Sequence, residues 1–326
     1  MRARETGRFL PTPRCCDAAT HPHARRSAGA QRRRCAFAWF RLAVLAALAT
    51  APVRAGEPSG DPADLRLDHV TIAVADLDSA AAAWERLGFE IKPGRRHGNG
   101  IRNAHIKFAD GSGLELLTVS DPGDGLARWY AGHIDAHPGT AAFCALSAPD
   151  SATLGALADR WRAAGMAVRR SDVGYARLLH SAPDTPAHPL FAIYYRHPAV
   201  DPPTVTTHPN GAAALAGVWL RPGTRPGLTE QLRSWSRLAP GDSLVALESG
   251  VLVLENSGSG PAIAAVVVAV ADVDAAWRWL TDRAAITPRR VATPLGEGLQ
   301  IPAERTGGIV VRLVPAGGET DSASGR

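Results

Sequence analysis

The stretch 67–89, LDHVTIAVADLDSAAAAWERLGF, restricts the fold more than any other part of the chain. Residues 67–74 alternate as a strand does, with His69, Thr71 and Ala73 on one side and Asp68, Val70, Ile72 and Val74 on the other. Leu77, Ala81, Trp84 and Leu87 then recur at helical spacing. Asp76 or Asp78 offers the cap, and Gly88 suits the left-handed residue past the helix end. One apolar helical stripe therefore packs on one strand face, which leaves His69 on the opposite, concave face. The pattern returns at 268–280, VAVADVDAAWRWL, with the same Ala-Asp-x-Asp cap and a helical Trp. Repetition at this scale implies duplication of a small unit.

The first unit, 67–121, continues with a short strand at 90–92 and a polar, Gly-rich loop at 93–102. A strand at 103–108, an Asp110-Gly111 turn and a strand at 114–119 complete the order β-α-β-β-β. A divergent second unit has a strand at 139–146 and a helix from Asp150 to Gly165, with Leu154, Leu157, Ala158 and Trp161 on its stripe. A strand at 166–170, a loop-rich connection at 172–189 and a closing strand at 190–195 follow. The third unit reads as a strand at 214–220, a helix at 229–238 and a hairpin of 243–247 with 250–255. The fourth has a strand at 262–270, a helix at 272–283 and strands near 286–291, 298–301 and 308–314. The expected architecture is α+β: four βαβββ units paired into two cupped-sheet domains, at 67–200 and 213–316. Linkers fall at 56–66 and at the Pro-rich 201–212, and residues 317–326 read as a disordered tail.

The net charge of +5 belongs to one end of the chain. Residues 1–55 hold eleven of the 36 Lys and Arg but two of the 31 Asp and Glu, so they carry +9 and the remainder −4. An acidic body argues against a nucleic-acid footprint. Arg32-Arg33-Arg34, the apolar run 35–49 and Val53-Arg54-Ala55 form a basic head, an apolar stretch and a small-residue exit, as in an export signal. That run is shorter than the roughly 20 residues a spanning helix needs. The expected location is outside the cytoplasm, in the periplasm, the alternative being a basic tail on a cytoplasmic chain with a misassigned start. Cys15, Cys16 and Cys35 lie in the leader, so Cys144 is left alone in the body and neither a disulfide nor a thiolate zinc site can be built there.

A βαβββ unit with His in its first strand and Glu in its last resembles the vicinal oxygen chelate superfamily, the fold of glyoxalase I, extradiol dioxygenases and bleomycin-resistance proteins. A narrower resemblance is to the bacterial glyoxalase-like domain family. It rests on LDHVTIAV at 67–74, His97, Arg102-Asn103-Ala104, DGSGLEL at 110–116, and His208-Pro209-Asn210-Gly211 followed by GVWL. The resemblance implies paired units curled around a cup in which a divalent metal holds substrate oxygens. It implies His69 and Glu115 as metal ligands and catalytic groups, with His97, Asn103, Arg102 and His208 as substrate contacts. An imidazole and a carboxylate together suit zinc, iron, manganese, nickel or cobalt, acting as a Lewis acid.

The ligand set is incomplete. Matching Asp78 to Asp150 places Ala141 opposite His69, and Ala192, Ile193 or Tyr194 where a second carboxylate would stand. Plainer readings exist for each residue. His69 serves as well as a hydrogen-bonded strand histidine, His97 as part of a solvated loop, Asn103 as a satisfier of edge backbone and His208 as a turn. His105 reads as polar-face filler, and the tryptophans at 84, 161 and 277 as helix-stripe core. The resulting expectation is a monomeric or homodimeric enzyme of isomerase or lyase type, metal-assisted, acting on a small oxygen-rich molecule. The alternative is a protein that uses the same cup to bind or sequester a small molecule without turnover.

Overall fold

A computed structural model describes residues 59–317, apart from 184 and 256–258; the expected export leader at 1–55 and nearly all of the tail lie outside the described residues. The elements in order are β1 (Arg66–Ala73), α1 (Leu77–Arg86), β2 (Lys92–Arg96), β3 (Ile101–Lys107), β4 (Gly113–Val119), α2 (Gly125–Ala136), β5 (Thr140–Ser147), α3 (Ser151–Ala163), β6 (Val168–Asp172), β7 (Ala176–Ser181) and β8 (Leu190–Tyr195). Then come α4 (Pro203–Thr206), β9 (Ala212–Leu220), α5 (Leu228–Ser236), β10 (Leu244–Ala246), β11 (Val251–Leu254), β12 (Ile263–Val270), α6 (Val273–Asp282), β13 (Arg289–Thr293), β14 (Gly296–Ile301), α7 (Ala303–Thr306) and β15 (Val310–Pro315).

The recurrent Asp is a helix cap. Asp76 accepts from the Ser79 amide at 2.6 Å, Asp150 from Thr153 at 2.7 Å, and Asp272 from Asp274 and Ala275 at 2.8 and 3.0 Å. Each bond satisfies an amide that has no partner inside the helix, worth about 1 kcal/mol. Accepting these bonds holds all three carboxyls below their ordinary pKa. It is the first Asp of the Ala-Asp-x-Asp pattern that caps. Aligned on the caps, Trp84 therefore matches Leu280 rather than Trp277. Trp84 and Trp161 are fully buried, whereas Trp277 is half-buried under Arg290.

Two curled mixed sheets result. The first runs β2-β3-β4-β1-β5-β8-β7-β6 and the second β10-β11-β9-β12-β15-β14-β13. In each, the two first strands of a pair of units lie side by side and antiparallel at the centre, β1 against β5 and β12 against β9. The main core, with Trp84, Ile106, Leu116, Cys144, Val218 and Val266, covers one face of both sheets. Residues alternating with these line the other, concave face: Thr71 and Leu117 in the first sheet, Trp219, Val253 and Val267 in the second.

Several expected elements differ. The Gly-rich 93–102 is largely strand, because β2 pairs with β3 across a bulge and only a turn remains around Gly100. The loop-rich 172–189 contains β7, which pairs with β6 and β8. Helix α2 was not expected at all, although Asp124 caps it at the Ala127 amide (2.8 Å) and Ala127, Tyr130 and Ile134 share a stripe. The third unit supplies β9, β10 and β11, one strand fewer than the others among the described residues. Residues 201–212 include α4 and the start of β9, tied down by Asn210, whose Nδ2 donates to the Leu87 carbonyl at 3.0 Å.

Candidate active site

Strand register assembles the first cup. Thr71 on β1 pairs with Glu115 on β4, Glu115 with His105 on β3, and His105 with Lys92 on β2, while Phe143 on β5 pairs with Thr71 from the other side. Directly paired residues share a face, so these five form one row across the concave surface. His69 lies two residues before Thr71 and so on the same face. Its Nε2 stands 3.8 Å from Glu115 Oε2, with the two side chains 17% and 16% exposed. Thr71 Oγ1 donates to Glu115 Oε2 at 3.0 Å, and Asn103 Nδ2 donates to Oε1 at 2.7 Å. Both carboxylate oxygens are thereby fixed by neutral donors.

Asp68 is where alternation fails. Period-two spacing puts it behind the sheet, away from His69. The register of β1 against β5 instead shifts between Leu67 and His69, a bulge that re-aims a side chain. Asp68 Oδ1 then accepts from His69 Nδ1 at 2.5 Å and from the Tyr195 hydroxyl at 3.1 Å. Since a carboxylate only accepts, Nδ1 carries the proton and Nε2 faces the cup. Burial by itself would lower the His69 pKa. The hydrogen bond and charge of Asp68, with the charge of Glu115, outweigh it, and the imidazole pKa stands above its ordinary value. His105 goes the other way: burial lowers its pKa, and the positive charges of Lys107, His69 and Lys92 add to this against the opposing charge of Glu115. Tyr130 on α2 closes the cup from above Thr71. Burial first and the Glu115 charge second push its phenol pKa up.

Of the residues named from sequence, His69, Glu115 and Asn103 come together, and His105, read as filler, joins their row. Arg102 does not: strand alternation turns it away from Asn103, and its Nη2 reaches Asp78 Oδ1 on α1 at 3.4 Å. His97 sits in the β2–β3 turn, where its amide and carbonyl bond Ile101 and Gly100 at 2.8 and 3.1 Å. His208 is structural. Its Nδ1 accepts from the Glu90 amide and its Nε2 donates to the Lys107 carbonyl, both at 2.9 Å, between the rings of Phe89 and Phe108. Burial lowers its pKa and holds it neutral. The sequence does not single out Asp68 or Tyr130, and alternation alone allows either Tyr194 or Tyr195, but not both, to face the cup. The cap and stripe of α2 carried a signal for Tyr130; the bulge at Asp68 carried none.

The second unit explains why the ligand set is short. Each of β1 and β5 ends three residues before its capping Asp, which aligns His69 with Phe143 and Thr71 with Ala145. Ala145 pairs with Phe191 as Thr71 pairs with Glu115, so Phe191 holds the place of the carboxylate. This corrects the earlier match to Ala141 and to 192–194, which assumed that Asp78 was the cap. Both second-unit positions are thus phenylalanines. Their rings lie 6.1 Å apart, with His69 edge-on to Phe191 at 5.6 Å and His180 stacked on it at 5.5 Å.

The divalent metal that the resemblance implies is tested by these donors. His69 Nε2 and Glu115 Oε2 offer two, where catalytic zinc takes three from the protein, and an aromatic wall stands opposite. No cluster of three or more His, Cys, Asp or Glu able to hold a metal occurs among the described residues. The residues present do not fit a resident metal. Beside the row a cavity of about 440 Å³ opens to solvent, lined by Asp68, Lys92, His105, Lys107, Tyr195 and Asp201.

Comparison with known proteins agrees with this architecture. A family model described as a glyoxalase-like domain matches residues 67–236. The match runs past the first sheet into β9 and α5, where Trp235 packs on Trp161 with ring centroids 6.0 Å apart. No curated protein matches the sequence. Among solved structures, a xylose isomerase-like TIM barrel/4-hydroxyphenylpyruvate dioxygenase fusion protein is similar at a TM-score of 0.51 and 16% identity, over 82% of this chain and 52% of that one. The chain therefore spans about half the length of that relative. A catechol 2,3-dioxygenase is similar at a TM-score of 0.54 and 12% identity, over 79% of this chain and 90% of the other. At such identities the likeness is one of fold. No helix among the described residues is long and apolar enough to cross a membrane.

Proposed function

Because the chain belongs to the glyoxalase-like domain family of the vicinal oxygen chelate superfamily, we propose that its first cup binds a small oxygen-rich molecule and moves a proton on it. The observation that carries this reading is the line Asp68–His69–Glu115, with bonded atoms at 2.5 Å and facing atoms at 3.8 Å. A protonated His69 donates from Nε2 to a substrate carbonyl oxygen. Glu115 removes the proton from the neighbouring, hydroxyl-bearing carbon and returns it to the former carbonyl carbon. His69 Nε2, now neutral, takes the proton of the neighbouring hydroxyl, so that the carbonyl has moved and both groups are back in their starting states. Asp68 stabilises the imidazolium form of His69 and keeps the proton on Nδ1 when Nε2 has given its own away, while Thr71 and Asn103 fix the orientation of the base. Acid–base help of this kind is worth about 10²–10⁴-fold in rate.

The test follows proton exchange and product formation by NMR on α-hydroxycarbonyl and dicarbonyl compounds, with metal removed by chelator. Turnover that survives chelation and falls about 10²-fold or more in Glu115→Gln is expected. Activity that vanishes on chelation and returns with a divalent ion would overturn the metal-free reading. Sequestration without turnover is a second reading, favoured by Phe143 and Phe191, which offer stacking where chemistry would place ligands. It predicts thermal stabilisation by the same compounds, retained in Glu115→Gln, with no product.

A further inference from the structure

The concave face of the second sheet repeats the geometry of the first with a cation at the place of the carboxylate. Aligning the caps Asp272 and Asp76 sets Val267 against Thr71, and the residue paired with Val267 across β12 and β15 is Arg312, at the place of Glu115. The row continues through Gln300 to Arg289, where the first sheet has His105 and Lys92. These residues and Trp219 line a cavity of about 470 Å³. The Trp219 indole packs over Gly217, where a Cβ would sit 3.2 Å from Val251 Cγ2 and 3.4 Å from Trp219 Cζ3.

Arg312 lies over that indole, its guanidinium carbon 4.6 Å from the ring centre, and its Nε donates to Gln300 Oε1 at 3.3 Å. Among the described residues its two Nη groups donate no hydrogen bond, and neither Arg312 nor Arg289 has an ion pair. The acids closest to hand are taken, Glu255 by Arg221 at 3.4 Å and Asp274 by Arg290 at 2.8 Å. Burial pushes the Arg312 pKa down; the charge of Glu255 opposes this, and the neighbouring Arg289 and Arg221 add to it. Two guanidiniums without an ion pair, beside an indole and the apolar Val291, Ala292 and Pro294, form a receptor for an anion that carries a flat apolar body. A guanidinium fork matches a carboxylate in two parallel bonds.

We propose that this second cup binds a small aromatic or otherwise planar carboxylate, its anionic end on Arg312 and Arg289 and its flat body on the Trp219 side of the cavity. The test is calorimetric titration of the full chain with benzoate, with benzamide as the uncharged control. Benzoate is expected to bind and benzamide not. Affinity falls at least about tenfold in Arg312→Gln, less in Arg312→Lys, and not at all in Glu115→Gln, which alters the first cup alone. Should Arg312→Gln fail to fold, Arg289→Gln on the exposed start of β13 gives the same reading. No binding of benzoate, equal binding of benzamide, affinity unchanged in the Arg variant that folds, or loss of binding in Glu115→Gln would each overturn the assignment. Because Glu115 serves only the first cup, the result is independent of any turnover there.

Discussion

Replacing Asp68 by Asn isolates the charge that raises the His69 pKa while keeping the shape of the site. The substituted amide still presents an oxygen to His69 Nδ1 and to the Tyr195 hydroxyl, at present 2.5 and 3.1 Å away. What is lost is a charge-assisted bond between groups only 17% and 11% exposed, so solvent screens little of it. Such a bond is worth about 1.5–3 kcal/mol. Without the charge and the charge-assisted bond of Asp68, the His69 pKa is expected to fall, because burial is then opposed only by the charge of Glu115. The sign for stability follows. The folded His69 pKa lies above the ordinary value of 6.5, so its contribution is full below that value and disappears as pH rises through the folded pKa. Asp68→Asn should therefore melt lower than wild type chiefly near pH 6, with the deficit closing at alkaline pH. The His69 ring proton, followed by NMR titration, gives the pKa directly, and melts at several pH values give the stability. An unchanged or raised His69 midpoint, or a deficit independent of pH, would refute the account of why this imidazole's pKa is raised.

Two further outcomes follow from the same geometry. Phe143→His with Phe191→Glu restores imidazole and carboxylate at the places matched to His69 and Glu115, and the double variant should copurify with a stoichiometric divalent ion by metal analysis where wild type shows none; metal in wild type would undo the donor argument. His208→Ala, 5% exposed in the native fold, strands the Glu90 amide and the Lys107 carbonyl, so stability should drop by about 2–5 kcal/mol in denaturant melts, while any turnover by the folded fraction is unchanged, as it would not be for a substrate contact.

Much of this protein was legible in its sequence. Alternation in 67–74, the stripe through Trp84 and the recurring Asp cap all follow from local periodicity, and they led to paired units around cups. The meeting of His69 with Glu115 also followed, because each sits at a strand position whose parity fixes its face. The loss of Arg102 and His208 from the site could not be read the same way. Arg102 differs from Asn103 by one residue of parity, and the two bonds of His208 reach partners about a hundred residues away in the chain.

Local pattern determined that this chain has βαβββ units, where their helices begin and which strand carries an imidazole on the hollow side, since backbone periodicity and capping depend only on near neighbours. Tertiary structure alone decided three things. A bulge turned Asp68 toward His69, strand register set phenylalanines where a second pair of metal ligands would stand, and the same register put Arg312 in the second cup at the place of a carboxylate in the first. Register is fixed by pairing between distant strands, and a shift of one residue moves a side chain to the other face of the sheet.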